Sequence, residues 1–184
     1  MSDTNNNNNL TSPETGAIKK SKSHSGSVFV HCGVFQDSLG SYANLTEQLE
    51  DINGQSRRTY TMTGFMSQKG DSHAGAFLFP DDATLADMKK MQLLSFKIIG
   101  DGKSYGIDIA TSDSRSEGKD NHYKKIFATE AGKVTEISIY INELSQSPFF
   151  GKQVPFIQDN ILLFQIHAYS FGEFNLKFWD IKFS

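Results

Sequence analysis

Apolar and polar residues alternate with a period of two along most of this chain, the spacing that puts one face of a β-strand in a core and the other in water. The pattern predicts strands over residues 27–34, 57–64, 75–79, 93–100, 105–111, 123–129, 135–141, 162–168 and 174–183. Helical spacing is predicted only over 42–52 and 84–91. Turn formers separate the strands; the plainest, Gly100-Asp101-Gly102, is expected to close a hairpin. Many short strands joined by turns predict an all-β domain, an antiparallel sandwich or barrel.

Parity within each strand predicts which side is buried. Ile137, Ile139 and Ile141 alternate with Ser138 and Tyr140, and Tyr105, Ile107 and Ile109 alternate with Gly106, Asp108 and Ala110, so the isoleucines are expected in the core. Over 162–168 the inner set is expected to be Leu162, Phe164 and Ile166, leaving Leu163, Gln165 and His167 on a second, mixed face. Residues 1–27 are rich in Asn, Ser, Thr and Lys and carry too few apolar groups to offset their ordering entropy. They are expected to be a polar tail or linker, with residues 28–184 forming the domain and Lys19, Lys20 and Lys22 solvated.

Composition narrows the partners. At 184 residues the chain suits one domain with a real core. No apolar run approaches the roughly 18 residues of a membrane-spanning helix, so no membrane insertion is expected. Eighteen Lys and Arg against 21 Asp and Glu give a formal charge of -3, no field for a phosphate backbone, and nucleic acid is not expected as a partner. The single cysteine, Cys32, has no internal disulfide partner. The N-terminus lacks secretory-signal features, so the chain stays where it is made or begins after a removed signal, which would make it extracytoplasmic. Asn44-Leu45-Thr46 fits a glycosylation acceptor, which matters only on a secreted chain.

The run from Leu94 through Gly100-Asp101-Gly102-Lys103-Ser104-Tyr105-Gly106-Ile107-Asp108 to Thr111, then 123–129, 134–144 and the closing Asp180-Ile181-Lys182-Phe183, resembles two related families. One is the family 11 carbohydrate-binding modules; the other is the complex I intermediate-associated protein family. The resemblance implies a galactose-binding-like jelly roll, a β-sandwich of two antiparallel sheets, with β-glucan chains lying across a concave sheet in the first family. Phe127 to Val134, Asn142-Glu143-Leu144 and Phe150 to Val154 are similar to the carbohydrate-binding versions. Such modules often hold a structural calcium with two adjacent acids at the start of the last strand. Here Trp179 precedes Asp180, so no cofactor is expected and calcium is left open.

Catalytic motifs fare poorly. Gly102-Lys103-Ser104-Tyr105-Gly106 fits the nucleophile-elbow spelling, but that chemistry needs a strand-to-helix turn, and this segment leads from a turn into a strand. His24, His31, His73, His122 and His167 show no metal-pair spacing. The acids Asp81-Asp82 follow Pro80 and are expected to cap a turn. No catalytic residue is assigned and the chain is not expected to be an enzyme. Sugar binding asks for less: aromatic faces to stack on pyranose C–H groups, and polar side chains for the hydroxyls. Lys97, Asp108, Lys124, Tyr140, Gln165 and His167, with His122 and Tyr169 at strand ends, are expected to share one exposed face as ligand-binding residues. The sequence therefore points to a non-catalytic domain binding a polysaccharide or oligosaccharide. The alternative is an assembly module holding a protein partner on that face.

Overall fold

Ten strands and two short α-helices order the described residues of the computed structural model, which are 28–116, 121–149 and 151–184. In chain order they are β1 (Phe29–Gln36), β2 (Tyr42–Ile52), β3 (Gln55–Met66), β4 (Ala74–Pro80), α1 (Asp82–Met88), β5 (Leu93–Ile99), β6 (Ser104–Thr111), α2 (Ser112–Ser116), β7 (Tyr123–Ala128), β8 (Val134–Tyr140), β9 (Ile161–Ala168) and β10 (Gly172–Phe183). The strands form two antiparallel five-stranded sheets, β1-β4-β9-β6-β7 and β2-β3-β10-β5-β8. Leu78, Ile107, Ile109, Phe164 and Ile166 of the first sheet and Met62, Phe96, Ile98, Leu176 and Phe178 of the second join one buried cluster. Each such side chain contributes roughly 1.5 to 3 kcal/mol by leaving water. The antiparallel sandwich expected from the alternation, and the jelly roll that the resemblance implies, are the fold. The expected tail, residues 1–27, lies outside the described residues.

Three readings need correction. Residues 42–52, expected helical because Leu45, Leu49 and Ile52 recur at helical spacing, are strand β2, paired with β3 from Tyr42↔Phe65 to Ile52↔Gln55. Asn53 and Gly54 join the two strands at φ 55° and 76°, the two-residue turn whose twist suits a hairpin, and this pairing overrides local propensity. The Gly100-Asp101-Gly102 turn does not close a hairpin, since β5 and β6 belong to different sheets and the turn carries the chain between them. Asp101 secures that corner by accepting from the Lys103 N–H at 3.1 Å, the Tyr105 hydroxyl at 3.0 Å and the Asn175 N–H at 2.9 Å. Leu162 is not core: the β6–β9 register skips between Ala110↔Leu163 and Thr111↔Ile161, so Leu162 bulges out at 37% exposure while Ile161 turns in at 2%. Within β10, Asp180 sits at φ 52° where the ladder to β5 shifts register, its carboxylate 3.1 Å from Arg57 Nη1 and 3.5 Å from Lys97 Nζ.

The helical window 84–91 corresponds to α1. The capping expected of the Asp81-Asp82 pair falls to Asp81, whose carboxylate accepts the Thr84 N–H at 2.8 Å. Helix α2, absent from the sequence reading, starts where Thr111 and Ser114 exchange hydrogen bonds: Ser114 N–H to Thr111 Oγ1 at 3.1 Å, and Thr111 N–H to Ser114 Oγ at 2.9 Å.

Candidate binding face on the first sheet

The registers of the first sheet lay its outward-facing residues out in rows that cross the strands. One row reads Phe35, Gly75, His167, Gly106 and Ile126 from β1 to β7. The next reads Gly33, Phe77, Gln165, Asp108 and Lys124. Three of these positions are glycines beneath an aromatic ring; at Gly75 the Ile166 carbonyl oxygen also leaves no room, 2.2 Å from where a Cβ would stand. A Cβ on Gly75 would stand 2.4 Å from the Phe35 ring, on Gly33 2.4 Å from the Phe77 ring, and on Gly106 2.4 Å from the Tyr169 ring. Each glycine is thus a slot over which an aromatic ring lies. The Phe35 and His167 rings are 4.5 Å apart between centroids and the His167 and Tyr169 rings 6.2 Å, so three rings follow one another across the sheet.

Beside them the face opens into a groove of about 420 Å³ whose walls include His73, Asn121, Lys124, His167, Tyr169 and Phe171. The loop bearing His73 is tied to Asp37, which accepts the His73 N–H at 2.7 Å and donates its own N–H to the His73 carbonyl at 3.0 Å. Under the groove, Asp108 is 2% exposed and its Oδ2 lies 3.2 Å from His167 Nε2. Burial raises the Asp108 carboxyl to about 6, against the opposing pull of Lys124 and His122. Burial, with Lys124 and His73, lowers the His167 imidazole to about 3. Near neutral pH the pair is therefore a carboxylate and a neutral imidazole.

Six of the eight candidate residues meet here. Asp108, Lys124, Gln165 and His167 share the rows just described, and Tyr169 follows β9 with its ring over Gly106. His122 stands one residue before β7, 4% exposed, with Nδ1 3.0 Å from Ser114 Oγ of α2, so it supports the face without opening onto it. Lys97 and Tyr140 lie elsewhere. Their strands, β5 and β8, belong to the second sheet, where Lys97 pairs with Asp180 and Tyr140 stands opposite Leu93. The expected single face is corrected to that extent, because parity fixes the side of a strand that a residue takes and not the sheet that the strand joins. Asp108 is also buried where an exposed side chain was expected. The reading from sequence missed Phe35, Phe77 and His73; Gly33, Gly75 and Gly106 inside strands were the signal that rings approach there. Among the described residues no group of three or more His, Cys, Asp or Glu is gathered as metal ligands.

Residues 31–178 match the family model of complex I intermediate-associated protein 30 (CIA30). The chain belongs to that family. No curated protein matches the sequence significantly. Among solved structures, a family 11 carbohydrate-binding module from Clostridium thermocellum, in complex with a β-1,3-1,4-mixed-linked tetrasaccharide, is similar at a TM-score of 0.60 and 15% identity, over 84% of this chain and 88% of that one. The family 11 module of a cellulosomal cellulase of the same organism gives 0.58 and 14%, over 88% and 95%. A family 30 carbohydrate-binding module gives 0.52 and 14%, over 86% and 83%. At these identities the likeness is one of fold: this member of the CIA30 family has the sandwich of carbohydrate-binding modules.

Proposed function

We propose that the chain is a non-catalytic domain that binds a polysaccharide, a β-linked glucan, across the outer face of its first sheet. The row of Phe35, His167 and Tyr169 carries this reading. Rings seated over glycines offer stacking surface without the entropy cost of ordering free side chains, and the adjacent Gln165 and Lys124 supply polar groups for the hydroxyls. The tetrasaccharide bound by the similar family 11 module supports the same ligand class here. The CIA30 match favours a second reading, in which this groove holds a segment of a protein partner.

Affinity electrophoresis through mixed-linked β-glucan separates them. The wild-type chain is retarded, and Tyr169→Ala weakens retention roughly two- to tenfold, the worth of one stacking contact, with a fall in Tm of only a few degrees because Tyr169 is 38% exposed. Free migration of the wild type through every β-glucan tried overturns the glycan reading in favour of the protein segment.

A further inference from the structure

We propose that Asp108 holds the His167 imidazole as a neutral hydrogen-bond acceptor, and that this restricts the groove to uncharged, hydroxyl-bearing chains and excludes those carrying carboxylates or sulfates. The proposal rests on the glycan reading above and names the class of glycan. Its starting point is a buried carboxylate that is only half satisfied: among the described residues Asp108 Oδ1 has no hydrogen-bond partner, and Oδ2 has His167 Nε2 at 3.2 Å. A carboxylate only accepts, so Nε2 must carry the hydrogen. Gln165 Oε1, another acceptor, stands 3.4 Å from the same nitrogen and asks for the same tautomer.

A second proton on Nδ1 is favoured by the Asp108 carboxylate and opposed by burial and by the cationic groups around it. The cation of Lys124 approaches from β7, His73 from the loop before β4, and His122 lies beside Asp108. Burial adds the cost of desolvating an imidazolium. Nδ1 is thus a lone-pair acceptor, without a partner among the described residues, on a ring that lines the groove. A sugar hydroxyl can donate to it; a carboxylate or sulfate cannot. The charges point the same way. Lys124 stands opposite Asp108 in register and is offset by it, and Asp71 adds a carboxylate to the wall.

Two measurements on the full chain test this. Long-range nitrogen–proton spectra of His167 at about pH 7.5, where Asp108 is ionised, are expected to show the neutral Nε2–H form, and Asp108→Ala is expected to lose that single tautomer. Affinity gels of mixed-linked β-glucan are expected to retain the wild type at least tenfold more strongly than gels of polygalacturonate or dextran sulfate at equal ionic strength. Asp108→Asn, which removes the buried charge, is expected to gain roughly threefold or more on the acidic gels at low salt. An imidazolium or Nδ1–H spectrum overturns the assignment, and so does equal retention on neutral and acidic gels. A correct spectrum with no retention on any gel overturns the glycan reading and the ligand class with it, and supports the His167 assignment.

Discussion

Asp108 shows how much a single residue's surroundings matter. Its parity places it opposite Ile107 and Ile109, which the structure bears out, yet it is as buried as they are. The Asp108 and His167 pair then has a distinctive linkage to pH. Unfolded, the two titrate at their ordinary 3.8 and 6.5; folded, at about 6 and about 3. Asp108, raised, contributes stability that is present below 3.8 and lost as pH rises through about 6. His167, lowered, imposes a penalty that grows as pH falls from 6.5 towards about 3. Between about pH 4 and 6 each state holds one proton on the pair, on Asp108 when folded and on His167 when unfolded, so the two slopes cancel. The variants are expected to expose each slope by itself in denaturant titrations. With the imidazole removed, His167→Gln gains about 2 kcal/mol of stability on going from pH 7.5 to 4.5, the Asp108 contribution alone. Asp108→Asn loses stability over the same interval. Parallel pH profiles for wild type and both variants would show that neither group is perturbed by folding.

At the scale of elements, the β2–β3 hairpin shows where local pattern misleads. Leu45, Leu49 and Ile52 carry helical spacing, but the Asn53-Gly54 turn, with both residues at positive φ, commits the chain to a ladder. Leu45 then packs on the core while Leu49 stays 61% exposed, an outcome that helical spacing does not foretell. Gly54→Val is expected to cost about 1 to 2 kcal/mol, since a side chain is strained in the left-handed region. That lowers Tm by roughly 2 to 8 °C, measurable by thermal circular dichroism; no change would mean that the turn does not set the register. The strand-interior glycines make the complementary point. Gly33, Gly75 and Gly106 look like defects in β-patterning, and the structure shows each to be a seat for a ring.

For the molecule as a whole, far-ultraviolet circular dichroism is expected to be dominated by β-structure, with helix well below the roughly one third of an average globular protein. The polar composition of residues 1–27 further leads to the expectation that a chain starting at residue 28 keeps the Tm and glucan retention of the full chain; a lower Tm would place part of that segment in the domain. The sequence by itself determined every strand but β2, the class of fold and the buried side of β6, β8 and most of β9, because period-two alternation records how each strand meets water. Only the tertiary structure decided which strands lie side by side. Sheet membership depends on hydrogen bonds between residues far apart in the chain, and no local spacing encodes them. So Lys97 and Tyr140 went to the second sheet, while Phe35, Phe77 and His167, more than a hundred residues apart at the extremes, came together on the first.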